Sequence, residues 1–210
     1  MFELNDNLNI KEELFYDTII YTIDDFYKYP DDIYNFLFSK PAPLHKMNER
    51  PSKNNVYFED RRMFKPDARL NSTIDFLGKL VSQKPWKYEI ITNQTRFYNH
   101  EFNDIENCHW WPHLDGGYNG IVYFNKDDEE NGTNIYYERR KKKMISEHYN
   151  PWRLKKDFRV LKHLKPKYNR LVFFDGDKLL HGMNITNKRY FSNEYRNNQV
   201  FFFDQEQNYV

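Results

Sequence analysis

Alanine is almost missing from this chain, occurring only at Ala42 and Ala68. It is the strongest helix former, so its scarcity argues against long helices and leaves Phe, Tyr and Ile to fill the interior. Cysteine is equally scarce. The single Cys108 cannot close an internal disulfide, and no Cys-x-x-Cys or Cys/His zinc pattern can be drawn around it, so it reads as a half-buried thiol. No stretch approaches the roughly 18 consecutive apolar residues of a membrane span. The first ten residues are polar and acidic, where a secretory leader needs a basic start and an apolar centre. These absences predict a cytoplasmic protein with no membrane partner. Net charge is nearly lacking as well, with 32 Lys and Arg against 31 Asp and Glu.

What is abundant is aromatic: 18 Phe, 17 Tyr and 4 Trp make 19% of the chain, which excludes the composition of a disordered protein. With 210 residues, the chain fits a single domain over residues 1–210 that can bury a core of its own. Asp17 to Asp25 (DTIIYTIDD) reads as a strand. Pro30 then opens a helix, PDDIYNFLFSK, with acids in its first turn. Residues 41–62, with three prolines, read as a surface connection containing a short strand near 56–58. Leu70, Ile74, Leu77, Leu80 and Val81 recur at helical spacing, predicting a second helix over 70–83.

After Pro85 the pattern changes. Strand-like runs follow at 88–98, 119–125, 133–138, 170–175 and 199–204, separated by turn signals such as Asp115-Gly116-Gly117, Asn131-Gly132 and Asp175-Gly176-Asp177. No helical period between them supplies parallel crossovers. The fold class predicted is therefore α+β, mainly β: an antiparallel sandwich or jelly roll, with the N-terminal strand and helices (1–87) packed on one face of a core at 88–204.

Charge is segregated along this core. From Glu101 to Glu130 there are eight acids and one lysine; from Arg139 to Lys167 there are twelve basic residues and two acids. The first segment can hold a metal and the second, 139–167, a polyanion such as nucleic acid, although a solvated loop face explains most such runs.

Seven histidines are present, and most need no function. In WWPHLDGG, His113 and Asp115 are two apart, so on an extended chain an imidazole and a carboxylate share one face. Farther on, RLVFFDGDKLLH ends a strand and a turn at His181. Two histidines and one carboxylate form the facial set of non-haem Fe(II) enzymes, leaving octahedral positions open, whereas structural zinc wants four ligands and usually sulfur. An anionic co-substrate would need a cation. Arg196 opens the last run, RNNQVFFFD, and alternation puts Arg196, Asn198, Val200 and Phe202 on one face. Its planar fork can grip a carboxylate with two hydrogen bonds. Arg189, in a polar loop, is the other arginine in reach.

With these pieces in place, residues 88–204 resemble the Fe(II)- and 2-oxoglutarate-dependent dioxygenases, in particular their prolyl-4-hydroxylase-like branch. The resemblance lies in HLD at 113–115, NGT at 131–133 before a strand, NRLVFFDGDKLLHGM at 169–183 and the Arg-led last strand. It implies a double-stranded β-helix (cupin-like) core, with His113, Asp115 and His181 as catalytic ligands of Fe(II). It also implies Arg196 on the distal carboxylate of 2-oxoglutarate, helped by Tyr98; the interval from His181 to Arg196 is longer than is common in that family, which keeps Arg189 as the alternative anchor. The implied activity consumes O2 and 2-oxoglutarate, releases succinate and CO2, and hydroxylates a C–H bond of a substrate that is a protein side chain, a peptide or a small molecule. Two other readings remain open: a non-enzymatic protein binding nucleic acid or another polyanion through 139–167, and a cupin-like metalloenzyme without 2-oxoglutarate.

Overall fold

The computed structural model describes residues 1–44, 58–64, 68–81, 87–97, 105–139 and 152–204. Twelve strands are formed among them: β1 Asn9–Phe15, β2 Thr18–Asp24, β3 Phe58–Phe64, β4 Lys87–Phe97, β5 Cys108–Trp110, β6 Tyr118–Tyr123, β7 Thr133–Glu138, β8 Trp152–Leu154, β9 Phe158–Leu164, β10 Leu171–Asp175, β11 His181–Met183 and β12 Arg196–Asp204. The α-helices among the described residues are short, α1 Pro30–Phe38 and α2 Asn71–Leu80, as the lack of alanine predicts. None is long and apolar enough to cross a membrane.

Seven strands form one sheet in the order β1-β2-β10-β6-β12-β4-β3, three form a second in the order β11-β7-β9, and β5 pairs with β8. Every pairing is antiparallel. From β4 onward the chain passes repeatedly between the large sheet and the smaller ones, so the fold is mainly β and jelly-roll-like.

Alternation along the strands sorts the aromatics into two layers. On the outer face of the large sheet, Tyr21, Ile23, Val122, Leu171, Phe173, Phe201 and Phe203 are buried with Ile33 and Leu37 of α1 and Leu77 of α2. On the inner face, Ile20, Tyr123, Val172 and Phe174 pack with Ile135 and Leu164 of the three-stranded sheet. Both helices thus cover one face, as expected from sequence. A third cluster, in which Phe97, Trp110, Trp152 and Tyr190 meet, closes one end.

Several elements differ from expectation. β1 and β2 form a hairpin, and β2 pairs with β10, so the N-terminal strand belongs to the main sheet and is not a separate layer. β1 reads as surface in the sequence because its side chains, NIKEELF, are almost all exposed. The strands β5, β8 and β11 have three residues each, too few for any period to register. β9 (FRVLKHL) lies in the basic segment, where its charges mask the alternation. Residues 140–151 of that segment lie outside the described residues, as does Tyr98.

Candidate metal centre

His113 and His181 meet through main-chain pairing. Each backbone N–H donates to the other's carbonyl at 2.8 Å, joining the stretch after β5 to β11 by one antiparallel bridge. The approach is close enough to require glycine beside it: a Cβ on Gly182 would lie 2.6 Å from the Trp110 carbonyl oxygen and 2.9 Å from that of Trp111. Asp115 is drawn to the same place because its N–H donates to the Gly176 carbonyl at 3.1 Å, in the turn after β10. Gly117, at φ 66°, closes this corner, its N–H donating to the Asp177 carboxylate.

The imidazole and carboxylate ligand atoms of His113, Asp115 and His181 all lie within 4.8 Å of one another. His181 Nε2 is 3.3 Å and His113 Nε2 3.6 Å from the same Asp115 oxygen, Oδ2. The other ring nitrogens are engaged: His113 Nδ1 with the Trp111 carbonyl at 2.6 Å, and His181 Nδ1 with the Leu179 carbonyl at 2.8 Å. A carbonyl only accepts, so each Nδ1 carries a proton, which leaves each Nε2 as the ring atom that faces the other two ligand atoms. Trp111 takes a left-handed φ of 35° where its carbonyl meets His113.

Burial works against the Asp115 charge, but hydrogen bonding to His113 and His181 and their nearby charge outweigh it, holding the carboxyl well below its usual range. Burial, then the neighbouring His113, pushes the His181 imidazole down. A divalent metal would take this site through the ionised carboxylate and the two Nε2 atoms, displacing any proton they hold.

Asn119, on the inner face of β6, completes the cluster. Its Nδ2 donates to Asp115 Oδ2 at 2.7 Å and lies 3.2 Å from His181 Nε2. Its Oδ1 is buried with no hydrogen-bond partner. Sequence reasoning missed Asn119; the signal available was an asparagine on the same face as Ile121 and Tyr123 in a run otherwise suited to the core.

The three residues border a cavity of about 340 Å³, lined also by Trp111, Asn119, Arg196, Asn198, Val200 and Phe202. Arg196, Asn198, Val200 and Phe202 of the large sheet thus face the cavity that His181 borders from the three-stranded sheet. Arg196 is 3% exposed. Its Nε and Nη2 donate to the carbonyls of Asn131 and Gly132 at 3.1 and 3.2 Å, and its guanidinium lies 5.5 Å from the Tyr123 ring. Among the described residues it meets no carboxylate. Asn198 Oδ1 is a second buried acceptor without a partner on this wall.

Arg189 is placed differently. It is bound to the Glu194 carboxylate through Nε and Nη2 at 2.9 and 2.7 Å and to the carbonyls of Asp127 and Lys126. It does not line the cavity. Of the aromatics near the motif, Trp110 and Trp111 both border the cavity, Trp110 as part of the end cluster, while Tyr118 packs outward near Phe173.

No family model matches the chain, and no curated protein matches it. Among solved structures, a bsmA homolog from Methylobium petroleophilum PM1 aligns with a TM-score of 0.43 at 8% identity, covering 84% of this chain and 82% of that one. The selenomethionine-labelled Fe(II)/α-ketoglutarate-dependent dioxygenase TqaL aligns with a TM-score of 0.38 at 10% identity, covering 76% of this chain and 72% of that one.

Proposed function

We propose that this chain is an Fe(II)- and 2-oxoglutarate-dependent dioxygenase of the prolyl-4-hydroxylase-like kind, with a double-stranded β-helix core made by β4 to β12. One observation carries the assignment: His113, Asp115 and His181 converge at a cavity that also receives the buried guanidinium of Arg196, which meets no carboxylate among the described residues. Two imidazole nitrogens and one carboxylate oxygen suit Fe(II) and leave coordination positions open for ligands. A buried cation whose partners are two carbonyls calls for an anion, and a dicarboxylate satisfies that call. A metalloenzyme without 2-oxoglutarate would leave Arg196 held by the Asn131 and Gly132 carbonyls alone.

The chain's own part is to hold and exclude. The Trp111 and Leu179 carbonyls fix the two rings, and Asn119 steadies the Asp115 carboxylate. The Asn131 and Gly132 carbonyls hold Nε and Nη2 of Arg196, fixing the plane in which its fork receives the distal carboxylate. Val200, Phe202 and Trp111 keep much of the cavity wall dry. The iron and co-substrate supply the oxidation: O2 and 2-oxoglutarate give succinate and CO2, and one oxygen atom enters a substrate C–H bond.

The test is anaerobic. Fe(II) and then 2-oxoglutarate are added to the apo-protein, and the visible charge-transfer band of the chelated keto acid is followed in wild type and Arg196→Ala. We expect a band in both, with the variant needing about 30-fold more 2-oxoglutarate or above, the lower end for losing one partner of a buried charge pair. Iron binding without a band in wild type would overturn the assignment.

A further inference from the structure

A second cavity, of about 440 Å³, lies against β5, β7, β9 and the end of β11, and shares Trp110 and Met183 with the first. Asn134 lines it and alternates along β7 with Thr133, which faces the metal cavity, and with Ile135 of the inner layer. The two cavities therefore occupy opposite faces of the three-stranded sheet.

Its lining is cationic. Arg139, Lys155 and Arg159 border it, and no Asp or Glu does. Elsewhere on the surface Lys28, Lys126, Lys162, Lys178, Arg170 and Arg189 each meet a carboxylate. The three cations of the groove meet none among the described residues. Arg159 instead lies over the Tyr137 ring at 5.3 Å, a contact that leaves the edge N–H groups of its fork available. The field reaches the floor as well: His109, its ring 4.7 Å from that of Tyr136, is pushed down to about 4, first by burial and then by the Lys155 charge.

We infer that this groove binds a phosphorylated small molecule of about nucleotide size, with its phosphates among Arg139, Lys155 and Arg159 and its neutral body against Phe158, Val160 and Ile185. Three cations without carboxylate partners suit a group carrying at least two negative charges, and the arginine forks match phosphate oxygens. The volume falls within the range of small-molecule sites.

The test uses the full chain in EDTA, titrated calorimetrically with inorganic pyrophosphate and with ADP. We expect one saturable site, tighter for ADP because the apolar wall adds contact. Lys155→Gln combined with Arg159→Gln should weaken both probes about tenfold or more with an unchanged melting temperature, since both side chains lie on the rim. Arg196→Ala should leave both affinities unaltered, which separates this site from the proposed co-substrate site and keeps it testable whether or not the oxygenase assignment stands. Absence of saturable binding by either probe overturns the inference, as does equal binding by the double variant. Binding of oligothymidylate in place of ADP, with steep salt dependence, would also overturn it in favour of a nucleic-acid surface.

Discussion

On β12, Phe201 and Phe203 point into the layer beneath the helices, while Arg196, Asn198, Val200 and Phe202 border the cavity beside His113, Asp115 and His181. On β6, Val122 belongs to the first face and Asn119 to the second. The same strands thus carry two buried surfaces of opposite character. The outer one is apolar and packed. The inner one holds a guanidinium and two side-chain amides, with Asn119 Oδ1 and Asn198 Oδ1 lacking hydrogen-bond partners. A buried acceptor left unsatisfied costs roughly 1–3 kcal/mol, so both oxygens call for a partner in the cavity they border. The outer face answers to stability, and the inner face borders the cavity beside His113, Asp115 and His181.

Substitutions on the two faces should therefore part company, and the largest effect lies outside. Phe173 is fully buried, with rings of Tyr21, Tyr118 and Phe203 around it. Phe173→Ala should lose about 3–5 kcal/mol in urea unfolding, the usual cost of emptying an aromatic core site. Metal affinity in the fraction that remains folded should be unchanged.

On the inner face the order reverses. In wild type, Co(II) at about 100 times its dissociation constant should raise stability by about 2.7 kcal/mol, because a ligand bound only to the native state stabilises it by mass action. Asp115→Ala should abolish that gain while the apo-protein still folds, and Asn119→Ala should reduce metal affinity about 10- to 100-fold, as loss of a ligand's supporting hydrogen bond does. Thermal melts with and without Co(II) read both. An Asp115→Ala variant that gains as much as wild type would end the distinction between the faces.

The smallest contrast is at the end of the sheet, where Arg170, preceding β10, bonds the Asp24 carboxylate through Nε and Nη2. The hydrogen bond from Arg170, against some burial cost, holds the Asp24 carboxyl below its ordinary value. A carboxyl depressed in the folded state adds stability above its unfolded pKa of about 3.9, and that increment is lost as pH falls through the lower folded value. Asp24→Asn should accordingly be less stable than wild type at pH 7 by no more than about 1 kcal/mol, since the pair is partly exposed. The difference should shrink as pH falls below about 3.9 and be lost as pH passes the lower folded value, as followed by urea midpoints across pH.

Particular residues show how far the sequence could be read. The long apolar strands and both helices were visible because a period needs several residues to declare itself, and β6, β7, β10 and β12 have between five and nine. Two-residue alternation placed Arg196 with Asn198, Val200 and Phe202. The three-residue strands β5 and β11 carried no such signal, although His181 sits on β11 and its main-chain partner His113 follows β5. Asn119 stayed hidden because its meaning depends on Asp115 and His181 arriving beside it.

What the amino-acid order determined by itself was local: short helices, antiparallel strands, aromatic layers and ligand-type residues at 113, 115 and 181. The tertiary structure decided which arginine meets the cavity, sending Arg189 to Glu194 and burying Arg196 without a carboxylate partner among the described residues. It also turned a basic stretch of sequence into a groove with three cations around it. Side-chain chemistry and backbone periodicity are properties of neighbours along the chain. A site is a set of distances between residues far apart in sequence, and those exist only once the sheets have paired.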